Sequence, residues 1–186
     1  MEKLIAEYDV TVEWVNFPLH PETPAEGMLL LDLFGGESAR PRLEESHKRL
    51  SAIAEAEGLP MTRRDRTYNS RLAQELGSWA TQQGKGTAFH DAAFRAYFAE
   101  AKDISNPKVL LDLATGVGLD REGAEAVLTS RTQRRQVDVE WARSHEAGVT
   151  GVPTFIAGGQ RVVGAQPYSV LEQLVVAAGA KKRPGK

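Results

Sequence analysis

The chain has 186 residues, 41% of them hydrophobic and 26% charged, with a formal net charge of −2 and no cysteine. That length suits one core, or a core with an inserted subdomain, because such a chain buries roughly 70% of its unfolded surface. Near-neutral charge argues against a dedicated grip on nucleic acid or anionic lipid, and zero cysteine excludes disulfides, thiolate metal sites and thiol nucleophiles within these residues.

Glu2 to Asp9 reads as a short helix with Leu4, Ile5 and Tyr8 on one face and no capping residue before it. Such a start looks like the tail of something longer. Val10 to Phe17 is rich in β-branched and aromatic residues and predicts a strand, and Pro18, Pro21 and Pro24 then force a loop. From Glu26 to Ala147 the signal is helical. A short apolar helix is expected over Met28 to Phe34, and a longer one over Pro41 to Glu57 with Leu43, Leu50 and Ile53 on its stripe. Asn69 or Ser70 is expected to cap the next helix, Thr87 the one after, then Asn106, Asp120 and Thr132 in turn. The ending changes character. A strand over Gly151 to Ala157, a Gly158-Gly159 turn and a return strand over Gln160 to Val163 form a hairpin. Gln166-Pro167 opens a final apolar-faced helix, and Lys181 to Lys186 is a basic tail expected to be solvated and disordered.

Common catalytic signatures are missing. His20, His47, His90 and His145 show no metal-ligand spacing, no serine elbow is present, and Gly84-Lys85-Gly86-Thr87 lacks the first glycine and strand of a phosphate loop. No metal or cofactor is expected. Trp14, Phe17, Trp141 and Phe155 read as core, Leu19-His20 as a loop able to line a groove, and Asn69 as a cap rather than a ligand. Asp112, Asp120 and the charges over 121–135 read as a solvated helical surface. The informative stretch is Gly148-Val149-Thr150-Gly151-Val152-Pro153-Thr154-Phe155. A Val-Pro bond between glycines is a place for a cis peptide, and the residue before proline is held extended. Taken alone it is a turn entering a strand, or an edge on which an extended peptide docks through Gly151, Val152 and Pro153.

That motif, its glycine hairpin and Val163-Gly164-Ala165-Gln166-Pro167-Tyr168 resemble the carboxy-terminal half of DsbA-like thiol–disulfide oxidoreductases. Trp14 to Gly27, Asn69-Ser70, Ala88-Phe89-His90 and Phe94 to Phe98 are similar to the FrnE-like branch, itself related to the 2-hydroxychromene-2-carboxylate isomerases. The resemblance spans nearly the whole chain. It implies an α/β chain of thioredoxin-like fold with a large all-helical insertion, residues 1–20 and 148–180 forming a discontinuous, incomplete thioredoxin-like domain around a 21–147 insertion, with 181–186 as tail. It also implies that Pro153 is a cis-proline facing the redox site and that Val152 pairs with substrate backbone.

The family places a C-x-x-C pair at the start of a helix after its first strand, where the helix terminus lowers the pKa of the attacking thiol. In this chain Met1 stands about where that helix would be ending, so the first, active-site strand and its thiols are expected to be missing. Three explanations compete. One is an internal start, with an upstream pair in which selenocysteine takes the first position. Another is a redox-dead, peptide-binding descendant, and the third is a glutathione-dependent isomerase-like enzyme whose serine also lies upstream. Protein or small-thiol partners docking as an extended strand follow from the resemblance. Without the first strand, the 10–17 and 154–157 edges are open and favour aggregation or pairing with another chain, so a homo-oligomer belongs among the expectations. No charged-then-apolar leader follows Met1, so a cytoplasmic location without nucleic-acid or membrane partners is expected.

Overall fold

The structure is a computed structural model that describes residues 1–184, so Gly185 and Lys186 of the expected basic tail lie outside the described residues. Two compact units divide the chain: a continuous one over His20–Asp138, and a discontinuous one formed by Met1–Leu19 with the chain from Val139 onward.

The continuous unit begins with a correction. Met28–Leu29 is a short strand, β1, paired antiparallel with β2 at Arg66–Thr67, and helix α2 spans only Leu30–Leu33. The apolar run looked helical because β2 lies more than 35 residues away in sequence. Gly27 makes the pairing possible: its φ is +75°, and a Cβ there would stand 2.5 Å from the Thr67 carbonyl oxygen. A 3₁₀ turn at Gly36–Ala39 leads into α3, Arg40–Ala56, with Pro41 in its first turn and none of its residues buried.

Helices α4 (Arg71–Gln82), α5 (Gly86–Phe94), α6 (Pro107–Gly116) and α7 (Arg121–Ser130) build the core. Leu76, Ala80, Phe89, Leu110, Ala114 and Ala124 are essentially inaccessible to water and belong to one cluster. Asn106 and Asp120 cap as expected, accepting from the Lys108 and Gly123 amides. Thr87 does not. The α4–α5 turn is so tight that a Cβ at Gly86 would meet Thr81 Oγ1 at 2.4 Å, and α5 therefore starts at Gly86. After α5 the backbone widens into a π-helical turn, Arg95–Ala99.

Glu75, wholly buried on α4, accepts from Arg71 Nε at 2.7 Å and from Arg131 Nε and Nη2 at 2.7 and 2.8 Å. Burial pushes its carboxyl up, but the two guanidinium groups outweigh that and hold it below its ordinary value of 4.5. Arg131 stays exposed, as expected of the 121–135 surface, and from a left-handed position, φ +52°, its guanidinium reaches Glu75.

In the discontinuous unit, α1 (Glu2–Glu7) and α9 (Tyr168–Ala177) meet through Leu4, Tyr8, Leu171 and Val175, joined by Val10, Phe155, Tyr168 and Ala180. Tyr8 donates to Glu172 at 2.7 Å and Tyr168 to Glu7 at 2.8 Å, and both phenols are pushed up. For Tyr8 the hydrogen bond to Glu172 leads; for Tyr168, burial does. The tail expectation is corrected over Lys181 to Arg183. Although exposed, it is ordered against α1: Asp9 N donates to Lys181 O and Arg183 N to Glu7 O, forming an antiparallel bridge between Tyr8 and Lys182.

The strand expected over Val10 to Phe17 is not one. It has no ladder partner among the described residues, and it is held by helix α8, Arg134–Glu146, instead. The Asn16 amide and side chain both donate to Glu140 Oε2, at 3.0 and 2.7 Å, and Ser144 Oγ donates to Asn16 O at 2.9 Å. Trp14, expected in the core, is 44% exposed as a result. Phe17, Trp141 and Phe155 are half-buried. Among the described residues no helix is long and apolar enough to cross a membrane.

Candidate functional site

Strands β3 (Thr154–Ala157) and β4 (Gln160–Val163) form the expected hairpin, closed by Gly158-Gly159 with both residues at positive φ. That two-residue turn fixes the register: Ala157 opposite Gln160, Phe155 opposite Val162, Thr154 opposite Val163. In an antiparallel ladder, alternate residues point their N–H and C=O groups at the partner. Pro153 continues the inward set, its carbonyl accepting from Gly164 N at 2.7 Å. Within β3 the outward set is therefore Thr154 and Ile156, and Val152 precedes the strand.

Three contacts shape the loop that delivers these residues. The Val149 amide closes the end of α8 on Ser144 O at 3.0 Å, and Gly148 turns there at φ +66°. Arg161 of β4 donates to the carbonyls of Ala147 and Gly148, and Thr154 Oγ1 donates to Gly151 O at 2.6 Å. A Cβ at Gly148 would lie 2.8 Å from Arg161 Nη1, so the guanidinium's seat depends on that glycine. The Val152–Pro153 peptide bond is cis.

The structure presents Gly151, Val152 and Pro153 together on an accessible rim: Val152 is 49% exposed and Pro153 is exposed. Among the described residues nothing pairs with the main-chain N–H or C=O of Val152. Ile156 and Val163, 52% and 46% exposed, share the face of Thr154, and Phe155 turns the other way into the α1–α9 core. The rim can form hydrogen bonds to an extended backbone and contact its apolar side chains. The chain has no thiol with which the rim could exchange a disulfide. Among the described residues no group of three or more His, Asp or Glu could hold a metal ion.

Of the other sequence-derived positions, Asn69 is committed within its own unit: Oδ1 accepts from Arg71 N at 2.9 Å and Nδ2 donates to Thr23 O at 2.6 Å. His20 sits 3.2 Å from Glu22, with its ring edge-on to Phe34. Thr154 and Ile156 were missed as part of the edge, although the parity of a two-residue glycine turn already assigns them outward.

The family model for the DSBA-like thioredoxin domain matches residues 1–176. YwbO, an uncharacterized protein of Bacillus subtilis (strain 168), is 30% identical over 187 residues, covering 97% of this chain and 88% of its own. A crystal structure of a probable DsbA oxidoreductase from Streptomyces coelicolor superposes with a TM-score of 0.88 at 28% identity, covering 100% of this chain and 84% of the other. A 2-hydroxychromene-2-carboxylate isomerase shares the fold, with a TM-score of 0.74 at 22% identity over 96% of this chain and 84% of that one. With its helical unit, its glycine-closed hairpin and a family match over nearly its whole length, the chain belongs to the DSBA-like thioredoxin domain family.

Proposed function

We propose that this chain supplies the substrate-docking part of a thiol–disulfide oxidoreductase whose redox-active pair is contributed from outside these 186 residues. The carrying observation is the unpaired main chain of Val152 on an uncharged, accessible rim. The likeness to the Streptomyces coelicolor protein supports the reaction class. Substrates are proteins or small thiols that lie along the rim as an extended strand, in the cytoplasm and with no nucleic acid or membrane involved.

The chain alone has no thiolate and is expected to show no turnover in an insulin-reduction assay; measurable turnover would overturn the reading. Docking is tested with a fluorescent extended peptide. Val152→Pro deletes the donor and is expected to weaken binding by about fivefold, the equivalent of one hydrogen bond of about 1 kcal/mol. The coding frame upstream of Met1 is expected to encode a strand followed by a Cys- or selenocysteine-containing pair. The lack of cysteine favours a second reading, a redox-dead peptide-binding module, which holds if docking is found and that frame encodes no such pair.

A further inference from the structure

We propose that Arg161 is the positioning residue of the docking loop: it holds residues 148–152 in the shape that offers Val152 to an extended peptide, a role that rests on the docking function proposed above. Arg161 stands on β4 opposite Ile156. Its side chain reaches the end of α8, where Nη1 donates to Ala147 O at 3.0 Å and to Gly148 O. Among the described residues no main-chain donor reaches either carbonyl, so the guanidinium supplies the partner that the helix end lacks. Its charge also faces the negative end of the α8 dipole.

The loop is fastened to the hairpin at three points. Arg161 holds its start, Thr154 Oγ1 donates to Gly151 O at 2.6 Å, and Gly164 N donates to Pro153 O at 2.7 Å. Arg161 lies on β4 and Gly164 just beyond it, so one strand and its exit set both ends of the loop. Gly148 makes the first fastening possible, since a Cβ there would lie 2.8 Å from Arg161 Nη1. Without Arg161, the hydrogen bonds at the loop's start among the described residues run only to its own helix, from the Gly148 and Val149 amides to His145 O and Ser144 O. The loop then samples shapes in which Val152 is turned away, and affinity falls with the fraction of time that the competent shape is held.

Stopped-flow binding of an uncharged, fluorescent extended peptide to the full chain tests this. Arg161→Gln is expected to weaken binding about tenfold, through slower association at an unchanged dissociation rate, because Arg161 shapes the loop and makes no contact with the peptide. Arg161→Lys, which keeps a charged donor, is expected to lose about threefold, and Gln160→Ala, at an exposed neighbour on β4, to lose nothing. Gly148→Ala is expected to weaken binding as well, and the Gly148→Ala, Arg161→Gln pair to lose less than the product of the two separate losses. In Arg161→Gln the order parameters of the Thr150, Gly151 and Val152 amides are expected to fall from about 0.85 to below about 0.6, while the β3–β4 ladder amides stay rigid and show that the hairpin is folded. Unchanged affinity of Arg161→Gln, a loss carried by faster dissociation, or unchanged order of the three amides would each overturn the proposal. Equal binding with and without Arg161 would leave the docking function standing. A parent chain that binds no peptide would overturn that function, and the order parameters would still decide whether Arg161 holds the loop.

Discussion

The two units solve the same folding problem with different resources. The helical unit buries a cluster of a dozen apolar residues contributed largely by consecutive helices, and it satisfies its buried carboxylate with two arginines. The discontinuous unit's cluster holds four buried residues, drawn from opposite ends of the chain, and among the described residues the outer edge of β3 and the Val152 main chain have no partner. The larger apolar cluster lies in one unit and the Val152 rim in the other. A binding edge needs groups that the fold has not already used, and a small core is what accompanies them here.

Mutations can sharpen that contrast. Phe89→Ala, at a site 1% exposed, is expected to destabilise the helical unit by about 4 kcal/mol. Urea unfolding followed by Trp79 fluorescence, with Trp14 and Trp141 replaced by phenylalanine, isolates that unit; a loss below about 1 kcal/mol would show that its core is not the stable element. Glu75→Gln, which leaves the Arg71 and Arg131 guanidinium groups without their anion, is expected to cost about 3 kcal/mol. The same carboxylate makes the unit acid-sensitive. Its folded pKa lies below 4.5, so its contribution is present above that value and disappears as pH falls through the lower folded value. Glu75→Gln should therefore flatten the acid limb of the stability profile, and an unchanged limb would assign the sensitivity elsewhere. Ser144→Ala is expected to cost only about 1 kcal/mol, and to act in the other unit. It should speed hydrogen exchange around Asn16 while leaving the Trp79 transition in place, because Asn16 O loses its donor.

What was legible in the sequence was local. Asn106 and Asp120 sit next to the amides they cap, and Gly158-Gly159 contains its own turn, so each carries its structure in a few residues. The fold class was legible because the 148–155 motif and the helical block keep their order along the chain. What was illegible depended on partners far away. Val10 to Phe17 has strand composition, but no ladder forms beside it and α8 takes its hydrogen bonds instead. Met28-Leu29 reads as helix until Arg66-Thr67 is placed beside it. Glu75 is buried with partners both near and far in sequence: Arg71 four residues before it and Arg131 56 residues away. At the site, Val152 and Pro153 were visible as a motif, whereas the roles of Thr154 and Ile156 needed the register.

The antiparallel bridge between Tyr8 and Lys182 has a consequence for the order of events during synthesis. A six-residue helix is too short to persist in water, so α1 depends on α9 and on the 181–183 segment for its shape. At roughly 5–20 residues per second, the ribosome finishes the helical unit several seconds before those partners emerge. Leu4 and Tyr8 thus stay uncovered until α9 and the 181–183 segment have been made.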